Sequence, residues 1–86
     1  MDWKLYSFIV RSKQRKEILR SLETPKTPTQ IGSKLDISIS HVSRTLKNFV
    51  ERGIVDCLTP QEKIGRIYKL TSKGEEILDK IKNDGI

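Results

Sequence analysis

Eighty-six residues with a formal charge of +6, from 17 Lys and Arg against 11 Asp and Glu, describe one small basic domain. A chain this short buries a modest core and leaves little room for a catalytic cleft, and its one cysteine, Cys57, excludes an internal disulfide. The charge favours an anionic partner, nucleic acid first, although anionic lipid or an acidic protein would satisfy charge alone.

No apolar run approaches the roughly 20 residues of a membrane span. LYSFIV (5–10) is too short for a secretory signal, and no small-residue cleavage site follows it. With Cys57 inside an apolar run, which suits a reduced compartment, the expected location is the cytoplasm, with no membrane partner.

Leu5, Phe8 and Ile9 recur at helical spacing after Trp3, which predicts a first helix from about Asp2 to Val10. The β-branched pair Ile9-Val10 leaves a short strand open as the alternative. Ser12 can cap a second helix running to about Leu22, with Ile18, Leu19 and Leu22 on its apolar face. Arg11, Lys13, Arg15, Lys16 and Arg20 surround that helix. A solvated surface accounts for most of them, with a phosphate-facing role open for one or two.

Glu23 to Lys26 is a connector. Thr27 then has the chemistry of an N-cap, and Pro28 fits the first helical position, where its missing N–H costs nothing. Ile31 and Leu35 fall four apart on one face, and Asp36-Ile37 makes the turn. Ser38 caps the next helix, which continues to about Arg52, and Gly53 stops it.

From Ile54 the hydrophobic period changes. IVDCL (54–58) and RIYKL (66–70) alternate roughly and are rich in branched and aromatic residues, with Pro60 and Gly65 as breakers between them. They predict a β-hairpin with a longer loop. Thr71 or Ser72 caps a last helix, Ser72 and Glu75 having capping-box spacing. Ile77, Leu78 and Ile81 form its apolar stripe, and Asn83–Ile86 is expected to fray. Four helices, a hairpin and a final helix make an α+β, mainly α fold: a winged helix-turn-helix filling a single domain over residues 1–86.

At about 100° per residue, Ile39, Val42, Leu46, Phe49 and Val50 gather on one side of the fourth helix, positioned to pack against Ile31, Leu35 and the second helix. The opposite arc holds Ser40, Arg44, Asn48 and Glu51, with His41 and Lys47 on its flanks. Short polar side chains at the helix start let that end enter a major groove and still offer hydrogen bonds to base edges. Arg44 can fork onto a guanine edge, and Ser40 and His41 can reach bases or phosphates. Lys47 and Asn48 lie further along, toward the backbone.

Any surface helix has a polar face. Three features set this one apart: the short capped helix before it, an arc in which only Glu51 is acidic, and a basic hairpin directly after it. Lys63 and Arg66 flank Gly65 near the hairpin tip, and Lys69 lies on the return strand. Such cations suit a wing lying along the DNA backbone or entering the minor groove, although edge strands also carry Lys and Arg against aggregation.

TPTQIGSKLDISISHVSRTLKNFVERGIV (27–55) and YKLTSKGEEIL (68–78) resemble winged helix-turn-helix transcription regulators of the MarR/ArsR-like superfamily, the small archaeal members especially. VSRTLK with its G-I-V exit, L-T-x-x-G after the wing, and SFIVRSKQRKEILRSL (7–22) carry the likeness, which covers nearly the whole chain. The resemblance implies sequence-selective binding of double-stranded DNA. It places Ser38, Ser40, His41, Ser43, Arg44, Lys47 and Asn48 on the recognition helix, about 38–52, in the major groove. Thr27, Thr29 and Gln30 at the preceding helix start join them, with Lys63 and Arg66 on the wing, about 54–70.

The resemblance also implies a homodimer through the terminal helices. Trp3, Tyr6 and Phe8 at one end, and Ile77, Leu78 and Ile81 at the other, either supply that interface or complete the core, with Trp3 and Tyr6 expected to be exposed. One Cys and one His cannot form the clusters of metal-sensing relatives. The long dimerisation helices of larger members, and the effector cleft they form, are missing. No cofactor, metal or small-molecule effector is therefore expected. Without a glycine-rich phosphate loop or a second histidine beside His41, no enzymatic activity is expected either. Two other functions stay open: a winged helix that docks a partner protein, whose face should be more apolar and less basic, and a non-specific architectural DNA binder.

Overall fold

The computed structural model describes residues 1–85. Five helices and a two-stranded antiparallel sheet follow one another as α1 (Trp3–Val10), α2 (Lys13–Ser21), α3 (Pro28–Leu35), α4 (Ile39–Glu51), β1 (Val55–Cys57), β2 (Tyr68–Leu70) and α5 (Ser72–Asn83). This is a winged helix-turn-helix. The helix over residues 3–10 settles the choice left open at Ile9-Val10: Ile9 is fully buried against the helical core, and Asp2 caps the helix through its carboxylate, which accepts from the N–H groups of Lys4 and Leu5.

One core serves all the elements. Ile9, Ile18, Leu19, Ile31, Val42, Leu46, Phe49, Ile54, Val55, Ile77 and Ile81 have no exposed surface, so each helix contributes to it, as does β1. Ile77, Leu78 and Ile81 thus complete the interior, whereas Trp3 remains 61% exposed. Ile39 and Val50 depart from the helical wheel. They are 51% and 37% exposed, because they sit near the two ends of α4, where the neighbouring wall is the wing.

The hairpin is shorter than its sequence pattern. Val55 pairs with Leu70, Asp56 with Lys69 and Cys57 with Tyr68. Lys26 from the connector adds a bridge to Tyr68, with N–H···O contacts of 3.1 and 2.8 Å in the two directions. The connector therefore anchors the start of α3 to the base of the wing.

Thr71, not Ser72, caps α5. Its hydroxyl accepts from the Gly74 N–H at 3.1 Å and shares its single proton between the Gly53 and Ile54 carbonyls at 2.7 and 3.0 Å. One side chain thus ties the exit of α4 to the entry of α5, a role that Ser72, one residue further along, does not take. The capping box lies instead at Thr27 and Gln30.

At the C-terminus Asn83 completes α5 and Asp84 is its C-cap; Ile86, the last residue expected to fray, lies outside the described residues. Asp84 accepts from the Tyr6 hydroxyl at 3.0 Å and pairs with Lys80 at 3.2 Å, latching α5 to α1. The Tyr6 bond first, then Lys80, holds the Asp84 carboxyl below its ordinary range. Desolvation first, then the Asp84 bond, holds the Tyr6 phenol above its own. A depressed acid stabilises above its unfolded pKa and loses that contribution as pH falls through the folded value; a raised phenol loses its contribution as pH rises through the folded value. The latch is therefore complete between the carboxylate and phenol ranges. Trp3 meets Tyr6 edge-on at 5.7 Å, so its fluorescence is expected to show an acid-side step that Asp84→Asn abolishes; an unchanged step would assign the titration elsewhere.

Candidate nucleic-acid interface

Local backbone chemistry sets α4 on the surface. The Thr27 hydroxyl accepts from the Gln30 N–H at 3.2 Å, and the Gln30 side-chain oxygen accepts from the Thr27 N–H at 2.9 Å. This reciprocal pair fixes the start of α3. Asp36 ends α3 in the left-handed region, φ 57 and ψ 49, a conformation that Asp tolerates better than most residues. The turn then folds back so closely that a Cβ on Gly32 would lie 2.7 Å from the Ile37 carbonyl oxygen. Ser38 restarts the helix, its oxygen accepting from the His41 N–H at 3.2 Å. Of the sequence candidates, Thr27, Gln30 and Ser38 therefore have hydrogen-bonding atoms committed to caps, while Thr29 is exposed beside them.

Ser40, Arg44, Lys47 and Asn48 are exposed on α4, whereas His41 and Ser43 are half-buried. All of these but Ser40 line one or both of two grooves. On the wing side, a cleft of about 670 Å³ gathers Thr29, Ser43, Arg44 and Lys47 with Lys63 and Arg66 of the wing. Its apolar lining includes Ile39, Val50, Cys57 and Ile64, which accounts for the two aliphatics that left the core. On the opposite side, a cleft of about 400 Å³ lies between α4 and the α1–α2 corner. It collects His41, Arg44, Thr45 and Asn48 with Phe8, Ser12, Gln14 and Arg15. Arg44 borders both clefts, and Ser40 lines neither.

The wing is shaped by its own bonds. The Arg66 Nε donates to the Glu62 carbonyl, the Ile67 N–H reaches the Thr59 hydroxyl at 2.9 Å, and Gly65 turns the tip at φ 71. Ile64 stands 90% exposed there, a feature that the strand alternation could not reveal because it lies in the loop. Lys69 departs from the wing-tip cations: it lines a separate cleft with Glu23, Glu75 and Asp79 on the α5 side.

Among the described residues, neither groove beside α4 is lined by a carboxylate. The ion pairs among the described residues join Lys80 to Asp84, Lys82 to Glu23, and the Met1 amine to Glu76, none of them using a residue of α4 or the wing. Arg44, Lys47, Lys63 and Arg66 therefore present uncompensated charge around a protruding helix, an arrangement suited to anions held at an open surface. No group of three or more His, Cys, Asp or Glu among the described residues could hold a metal ion, and no helix there is long and apolar enough to cross a membrane.

Solved structures share this architecture. A MarR family transcription regulator superposes with a TM-score of 0.71 and 30% identity, over 81% of this chain and 48% of that one. A mutant of E. coli MarR complexed with operator DNA gives 0.74 and 23%, over 93% and 62%. A mutant of the type III plasmid segregation protein TubR gives 0.80 and 18%, over 95% of this chain and 90% of its own; at these last two identities the likeness is one of fold. The chain thus spans about half the length of the first regulator. No curated protein sequence matches it. Sequence itself supplies the assignment: the family model described as the HVO_A0261 N-terminal domain matches residues 3–83, and this winged helix-turn-helix chain, similar in structure to MarR-family regulators, belongs to the HVO_A0261 N-terminal domain family.

Proposed function

We propose that this domain binds double-stranded DNA sequence-selectively as part of a transcription regulator, with α4 in the major groove and the wing over the backbone or minor groove. The observation that carries this reading is the wing-side groove, where Arg44, Lys47, Lys63 and Arg66 converge without a carboxylate in the lining. A phosphate backbone passing between helix and wing would meet cations from both. Arg44, bordering both grooves, is the residue best placed to read a base, with Ser40 on the front of the helix beside it. Lys47, Lys63 and Arg66 hold phosphates, as do Thr29 and Ser43. A MarR protein of the same fold crystallised on operator DNA supports the reading. Homodimerisation through the terminal helices fits the exposure of Trp3 on α1 and would give a palindromic site.

Selection of bound fragments from a random duplex pool should enrich one palindromic motif. On that motif, Arg44→Ala should weaken binding by about 1–3 kcal/mol while affecting random duplex less. Equal losses on both would remove the base-reading role. A second reading, docking of a partner protein, has one observation in its favour: the exposed aliphatics Ile39, Val50, Leu58 and Ile64. A gel shift with random duplex at low salt separates the two readings, since a protein-docking face would give none.

A further inference from the structure

We propose that the flank of α4 facing the α1–α2 corner is a phosphate-binding site for the DNA strand opposite the wing, built on Arg15, which lines the second groove, and on Arg52, which lies outside that groove's lining, the two held against the two faces of Phe8. This rests on the DNA-binding reading above and adds to it a site outside the helix-turn-helix and wing.

The Arg15 Cζ lies 3.9 Å from the Phe8 ring centroid, and the Arg52 Cζ lies 3.8 Å from it. Two planar guanidinium groups that close to one ring centre must occupy opposite faces. The ring attracts both cations, yet they repel each other across it, and neither has a carboxylate partner among the described ion pairs. Phe8 holds Arg15 a second time, because its carbonyl accepts from the Arg15 Nη1 at 2.9 Å. The ring is itself fixed, lying edge-on to buried Phe49 of α4 at 6.3 Å and 78°. Phe8 is thus a platform that joins α1, α2 and α4.

A guanidinium stacked by its face keeps N–H donors free at its edge, in the fork geometry that matches phosphate oxygens. The Arg15 side chain lines the groove beside His41, Arg44 and Asn48, and Arg52, the C-cap of α4 one turn beyond Asn48, adds a second cation outside that lining, on the Phe8 ring. A helix lying in the major groove has a phosphate backbone along each flank. Lys47, Lys63 and Arg66 serve the wing flank, while Arg15 and Arg52 serve the other. Pre-organisation by stacking lowers the entropy lost when these side chains close on phosphate. Phe8 acts through the two arginines as a positioning residue.

The test measures the affinity of the protein for its selected duplex across salt concentrations, for wild type, Arg15→Gln, Arg52→Gln and Arg66→Gln, with Phe8→Leu as the platform variant. Each phosphate contact contributes about 0.9 to the slope of log K against log salt. Arg15→Gln and Arg52→Gln should each lower the slope by about that amount, as Arg66→Gln does, with base preference unchanged. Phe8→Leu, which keeps both charges, should weaken binding without changing base preference. A merely structural stack would move thermal stability and leave the slope alone. If Arg15→Gln fails to fold, Arg52→Gln decides, since Arg52 is exposed at the end of α4. Wild-type slopes in both Arg15→Gln and Arg52→Gln, beside a reduced slope in Arg66→Gln, would overturn the second site and leave the DNA-binding reading standing. Absence of any duplex binding by wild type at low salt would overturn both.

Discussion

Gly74→Ala is expected to lower the stability of the domain by about 3 kcal/mol, the upper end of overpacking penalties, although alanine is the better helix former by about 1 kcal/mol. A Cβ at residue 74 would lie 2.2 Å from the Ile54 carbonyl oxygen and 3.2 Å from a Leu70 methyl. The obstacle is backbone, and that backbone is pinned: the Ile54 carbonyl also accepts from the Thr71 N–H at 3.0 Å and from the Thr71 hydroxyl at 3.0 Å. Making room for a methyl group means moving α5 away from the α4–β1 junction, which strips contacts from Ile77 and Ile81 in the core. In a domain of this size, with total stability of about 5–15 kcal/mol, such a loss is a large fraction. Lys73→Ala, in the same turn but exposed, should stay within about 0.5 kcal/mol of wild type. Chemical denaturation of the two variants checks the contrast; equal midpoints would show that the junction relaxes freely.

The same junction shows where the sequence was legible and where it was not. Thr27-Pro28, Ser38 and Gly53 announce helix ends through chemistry carried out within three or four residues, so a linear reading locates them. The choice of Thr71 over Ser72 depends on the Gly53 and Ile54 carbonyls, 17 or 18 residues away, and no local spacing encodes it. The L-T-x-x-G phrase was visible as a pattern, while its reason, a cap that also bridges and a glycine against a carbonyl, required the packing. A helical wheel puts Ile39 and Val50 on the apolar side although they are exposed, because it separates only apolar from polar sides and carries no information on where the neighbouring wall ends. Most of the α4 candidates do line the two grooves. Arg15 and Arg52 are not legible as a pair because only folding brings them to one ring; in the linear sequence Arg15 is one of several basic residues around α2.

Binding to duplex is expected to fall about a thousandfold between 50 and 200 mM salt if six phosphates are neutralised per bound domain, since log K then declines with a slope of about −5 against log salt. Six is the number of cations that the two grooves and their margins offer: Arg44, Lys47, Lys63 and Arg66 on the wing side, and Arg15 and Arg52 around Phe8. Arg44 counts fully only on random sequence, because on its specific site it turns to a base edge; the slope should therefore be steeper on random duplex by about one contact. Lys63→Ala with Arg66→Ala should reduce the slope by about two contacts on either duplex, since a wing on the backbone is indifferent to sequence. Fluorescence anisotropy on both duplexes across salt measures all three quantities. A flat response would mean that apolar contact through Ile39, Val50 and Ile64 dominates, as in protein docking. Equal slopes on the two duplexes would remove Arg44 from base reading and leave a non-specific binder of the same fold.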